Sequence, residues 1–117
     1  IFNNEYHQVK ATLDSCSVTD EATAATIQRV YNQYGYMLDP HGAVGYYALD
    51  QYLDQHSSDK GIFLETAHPV KFPETVEQAT GQTIPIPPSV QYLFDRAKQS
   101  IVMDAGFDQL KEWLMNR

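Results

Sequence analysis

Cysteine is almost missing from this chain: Cys16 is the only one in 117 residues. That excludes a disulfide framework and a thiolate-held zinc site, and it suits a cytoplasmic protein. Basic residues are also scarce. Eight Lys plus Arg face fifteen Asp plus Glu, for a net charge of −7. No window gathers five of them, so the sequence offers no nucleic-acid surface and no patch for an anionic membrane. No apolar run approaches the roughly 18 residues that a membrane span needs. Neither G-x-x-x-x-G-K-[ST] nor G-x-G-x-x-G occurs, which excludes a nucleotide-phosphate loop. His41 and His68 lack paired metal-ligand spacing and no Cys/His cluster exists, so no metal site is expected. Ser15, Cys16 and Ser17 stand outside the strand–turn–helix setting that activates a nucleophile. The eight tyrosines read as packing rather than base-stacking platforms, given the acidic charge.

What is present fits a single globular piece spanning 1–117. The start at Ile1, with no signal-type run before Asn3-Asn4-Glu5, reads as a cut inside a longer chain. Residues 1–9 read as a loop, and Val9 to Val18 alternates well enough for a strand. Thr19 is a candidate N-cap with Asp20 and Glu21 behind it, opening a helix to about Tyr34 that Gly35 ends. Tyr36-Met37-Leu38 suggests a brief strand. Asp39-Pro40 is a strong helix start. The helix from Pro40 to about Gln55 is apolar on most of its surface, which predicts burial on more than one side. Gly61-Ile62-Phe63-Leu64-Glu65 has the size and composition of an interior parallel strand. A short helix to Thr80 and Gly81, a polyproline-like stretch at 84–88, a helix from Ser89 to about Gln99 and a last helix over 106–116 complete the chain. The alternation predicts an α/β fold: an incomplete parallel sheet of a few short strands with packed helices, and a helix-rich C-terminal half.

In such folds ligands collect where strands or loops meet helix starts. Two junctions qualify: Asp39-Pro40-His41-Gly42-Ala43-Val44-Gly45 and Thr66-Ala67-His68-Pro69-Val70-Lys71-Phe72. The Thr66 hydroxyl can face a ligand or cap the following turn. His68 can contact a ligand, move a proton, or be satisfied by backbone at a tight turn. His41, in the first turn of its helix, favours a neutral ring or a nearby anion, or else partners Asp39. Lys71 can pair with an anionic group or be solvated.

These two segments, in this order and about twenty residues apart, closely resemble the C-terminal third of threonine synthases. Ser15-Cys16-Ser17-Val18-Thr19-Asp20-Glu21 and Gly35-Tyr36-Met37-Leu38 are similar too, so the resemblance covers about residues 12 to 80. It implies part of an enzyme that uses pyridoxal phosphate (PLP) to convert O-phospho-L-homoserine and water into L-threonine and phosphate. It implies that Thr66 hydrogen-bonds the pyridine nitrogen of PLP. It implies that Asp39, His41 and His68 shape the active site, and that the rest of the same polypeptide is the partner. The family's cofactor-linked lysine lies upstream: Lys10, Lys60, Lys71, Lys98 and Lys111 have no matching context, and the phosphate-gripping glycine loop is absent. This segment alone is therefore expected to hold no catalytic residue and to be inactive, with self-association through the apolar helix from Pro40 to Gln55. A stand-alone interaction module of the same fold is the alternative.

Overall fold

A computed structural model describes residues 2–117; Ile1, and with it the reading of the start as a cut, lies outside the described residues. Two units emerge, one running through Pro85 and the other from Ile86 to Arg117. The first unit carries α1 (Tyr6–Thr12), α2 (Asp20–Tyr34), α3 (Pro40–Gln55) and α4 (Pro73–Thr80). Local chemistry accounts for their ends. The Thr19 hydroxyl accepts from the N–H of Ala22 at 3.2 Å, while Asp20 and Glu21 occupy the positive first turn of α2. Gly35 closes the same helix at φ 67°, and Gly81 closes α4 at the same angle; both sites favour a residue without Cβ. Pro40 and Pro73 stand at helix starts, where a missing N–H leaves no bond unmade.

α2 packs against both α3 and α4. Ile27 and Val30 of α2, Leu38, Ala43 of α3, Val76 of α4 and Ile84 form the buried core. Thr23 and Thr26 are also buried on α2 and bond back to the carbonyls four residues earlier, so they need no outside partner. Arg29 fastens α2 to α3 by a 2.7 Å bond to Asp50, and its guanidinium lies over the Tyr46 ring. Ile84 is fixed by its N–H donating to Glu77 of α4 at 2.9 Å.

The second unit holds a turn at Pro88–Val90 running into the single-turn α5 (Gln91–Phe94), then α6 (Phe107–Met115). Phe107, Leu110 and Leu114 of α6 are exposed, and Arg117 caps the Trp113 ring from 4.7 Å.

The expected parallel sheet is not there. No strand occurs among the described residues. Val9–Val18 begins as helix α1 and continues as irregular chain, and the 1–9 loop is partly helical. Tyr36–Leu38 and Gly61–Glu65 form no ladder. A strand exists only through hydrogen bonds to a neighbour, and these residues have none to pair with. The 61–65 run nevertheless keeps a strand's period of two: Ile62 and Leu64 are exposed at 90% and 76%, whereas Phe63 and Glu65 turn inward. α3 is not buried on several sides. Gly42 and Ala43 are its only fully buried residues, and Val44 and Tyr52 face outward. The helix expected to reach Gln99 stops at Phe94.

Candidate functional site

The site grows from the first turn of α3. Asp39 caps that helix: its Oδ1 accepts from the His41 N–H at 2.9 Å and meets the His41 Nδ1 at 2.8 Å. Two contacts to one oxygen hold the imidazole beside its own helix start. The ring rests against Phe72 at 5.1 Å, tilted by 60°, and most of it stays exposed. Asp39 itself is completely buried.

Across the chain, the backbone N–H of Asp39 donates to Glu65 Oε1 at 3.0 Å. This bond joins the 61–65 run to the helix start. Gly42 makes room for it, because a Cβ there would collide with the Glu65 carboxyl. The other two oxygens of the pair, Asp39 Oδ2 and Glu65 Oε2, are buried and have no partner if both groups are ionised. A carboxylate accepts only, whereas a carboxylic acid also donates. One proton held between the two carboxyls would satisfy both. The electrostatics agree. Burial pushes Glu65 up, the hydrogen bond to Asp39 adds to it, and the carboxyl reaches about 7. Burial pushes Asp39 up as well, but bonds from Glu65, from His41 and from the Gly42 N–H outweigh it and hold Asp39 below the ordinary carboxylate range.

Thr66 follows Glu65 in the chain and is the more exposed of the two. It is exposed and lines an open groove of about 550 Å³. Tyr36, Met37, Glu65, His68 and Ile84 share the walls. Thr23, Thr26 and Thr80 spend their hydroxyls on carbonyls of their own helices; Thr66 bonds to none of the described residues. His68 accepts from the Val70 N–H at its Nδ1, 3.1 Å away, and so caps the 3-10 turn Pro69–Lys71. With Nδ1 accepting, the ring proton belongs on Nε2. Lys71 is exposed and forms no ion pair among the described residues.

The fold thus brings Thr66 and His68 to one groove, and couples Asp39 to it through Glu65. His41 is tied to Asp39 but does not line the groove. Sequence reasoning missed Glu65. Its signal was an acid at an inward position of an alternating apolar run. Among the described residues no cluster of three metal-ligating side chains occurs, and no helix is long and apolar enough to cross a membrane.

The chain is similar in structure to solved threonine synthases. Against that of Escherichia coli the TM-score is 0.81 at 36% identity, over 98% of this chain and 26% of that one. Against the PLP-bound threonine synthase from Brucella melitensis it is 0.66 at 28% identity, over 99% of this chain and 25% of that one. Residues 42–114 match the family described as "Threonine synthase, C-terminal", and the chain belongs to the threonine synthase family. The Serratia marcescens threonine synthase is 35% identical over 98% of this chain. The chain spans about a quarter of the length of the curated relatives it matches.

Proposed function

We propose that this chain forms the C-terminal part of a PLP-dependent threonine synthase: the end of its catalytic domain together with C-terminal helices. That enzyme is a lyase of threonine biosynthesis, acting on O-phospho-L-homoserine in the cytoplasm. The observation that carries the reading is the unengaged hydroxyl of Thr66 at the mouth of an open groove, within the region that matches the family. The donor set fits the group. The pyridine nitrogen of PLP needs one small polar partner, and a free threonine hydroxyl in a groove that Met37 and Ile84 also line provides it, with the Glu65 carboxyl of the same groove engaged by Asp39.

When bound, PLP supplies an electron sink that side chains lack. The residues here set how strong that sink is. A neutral hydroxyl bonds the ring nitrogen without holding a proton on it, whereas a carboxylate would keep the nitrogen charged. His68 stiffens the turn after Thr66, and Asp39 with His41 shapes the helix start behind it. No lysine of this chain enters the groove lining, so the amine that tethers the cofactor comes from the remainder of the polypeptide. The chain alone is inactive in this reading and self-associates through apolar surface such as Ile62 and Leu64.

The test compares this chain with the polypeptide that contains it, each incubated with PLP and O-phospho-L-homoserine while phosphate and threonine are measured. Release is expected from the longer polypeptide only. In it, Thr66→Val should shift the cofactor absorbance band and slow turnover at least tenfold, about 1.4 kcal/mol. Turnover by this chain alone overturns its inactivity. A Thr66→Val enzyme with unchanged band and rate overturns the role of Thr66.

A further inference from the structure

The contact between Asp39 and Glu65 is not used in the function above, yet the fold spends a buried and a half-buried carboxyl on it. We infer that Glu65 is a positioning residue, whose carboxyl shares one proton with Asp39 and thereby fixes the direction in which the Thr66 hydroxyl faces the groove. The inference rests on the cofactor-facing reading of Thr66.

The geometry supports it at three points. Glu65 Oε1 accepts from the Asp39 N–H at 3.0 Å, so the residue before Thr66 is pinned to the start of α3. Glu65 Oε2 and Asp39 Oδ2 are both buried and neither has a hydrogen-bond partner among the described residues, and a proton held between the two carboxyls would satisfy both. Gly42 leaves the carboxyl its space, and a Cβ there would displace the Glu65 carboxyl from its present position. The ionisable group facing the pair is the His41 imidazole, bonded to the other oxygen of Asp39. Glu65 and Thr66 are adjacent and line the same groove, so pinning the Glu65 carboxyl to Asp39 fixes the backbone that presents the Thr66 hydroxyl there. A glutamine keeps both an oxygen for the Asp39 N–H and a donor for the Asp39 carboxylate. An alanine keeps neither.

The experiment uses the full-length holoenzyme carrying this segment, with variants Glu65→Gln, Glu65→Ala and Thr66→Val. Three readouts are taken: the cofactor absorbance band, hydrogen exchange at the Asp39 N–H, and the infrared band of a protonated carboxylic acid at pH 6. The wild type should show the acid band, and Glu65→Gln should remove it. Glu65→Ala should speed exchange about tenfold or more, the effect of losing a bond to a carboxyl, and move the cofactor band as Thr66→Val does. Glu65→Gln should stay within about threefold in exchange, a fraction of a hydrogen bond, and keep the wild-type cofactor band. If Thr66→Val moves that band and Glu65→Ala does not, the positioning role is overturned and the cofactor reading stands. If neither moves it, the cofactor reading falls and takes the positioning role with it, while exchange and infrared still decide whether the proton is shared. Should Glu65→Ala fail to fold, a wild type without the acid band, or a Glu65→Gln enzyme with a displaced cofactor band, overturns the inference.

Discussion

The buried carboxyl of Asp39 and the carboxyl of Glu65, 26 residues later, meet at the start of α3, and the Asp39 N–H donates to Glu65 at 3.0 Å. Two acids in one buried contact cannot both ionise without cost. Their opposite displacements, Asp39 down and Glu65 up to about 7, give the fold a distinct response to pH.

The sign follows from linkage. Glu65 holds its proton more tightly folded than unfolded, so stability falls as pH rises from about 4.5 toward 7 and is level above that. Asp39 behaves oppositely: its contribution is present above its ordinary range and is lost as pH falls through it. Urea unfolding between pH 4 and 8 should show a decline of about 1–2 kcal/mol on the neutral side, after allowing for partial solvent screening. Glu65→Gln should flatten it. A curve of unchanged slope in that variant refutes the assignment.

Gly42 and Gly45 occupy the same helix and predict opposite outcomes. Gly42→Ala drives a methyl into the Glu65 carboxyl, and should destabilise by about 1–3 kcal/mol in urea denaturation. Gly45→Ala meets Phe63 at 3.8 Å, an ordinary contact, and should gain about 0.5–1 kcal/mol from helix propensity. Equal effects at the two sites would contradict the close approach at Gly42.

His68 acts on its turn through one bond, from the Val70 N–H to Nδ1. His68→Ala should speed hydrogen exchange at Val70 about threefold to tenfold, and His68→Asn, which restores an acceptor, should recover most of it. Unchanged exchange in the alanine variant would show that the turn holds without its cap.

Burial separates Val76 from Ile62. Val76, fully enclosed between α4 and α2, should cost about 1–2.5 kcal/mol on truncation to alanine. Ile62 is 90% exposed, and Ile62→Ala should change the stability of this chain by less than about 0.5 kcal/mol. Thermal or urea unfolding checks both.

The helices most legible in the residues were those with local ends. Thr19 and Gly35 bracket α2, Asp39-Pro40 opens α3, Gly81 closes α4, and α6 follows its apolar period. Each signal acts within a turn of the position it marks. The strands failed for the complementary reason. Gly61–Glu65 has a strand's composition and a strand's alternating burial, but a ladder is a property of two segments, and among the described residues no second strand pairs with it.

The candidate site divides along the same line. That Asp39 caps its helix and holds His41, and that His68 stands at a turn, was written in adjacent residues, because capping reaches only two or three positions along the chain. Family membership was equally legible, carried by two motifs in order. What tertiary structure alone decided was the partnership of Asp39 with Glu65, the clearance at Gly42 that admits it, and the outward face of Thr66. Those depend on bringing together positions far apart in the chain, and the environment that sets a carboxyl's proton exists only once burial and a neighbouring charge have been assembled around it.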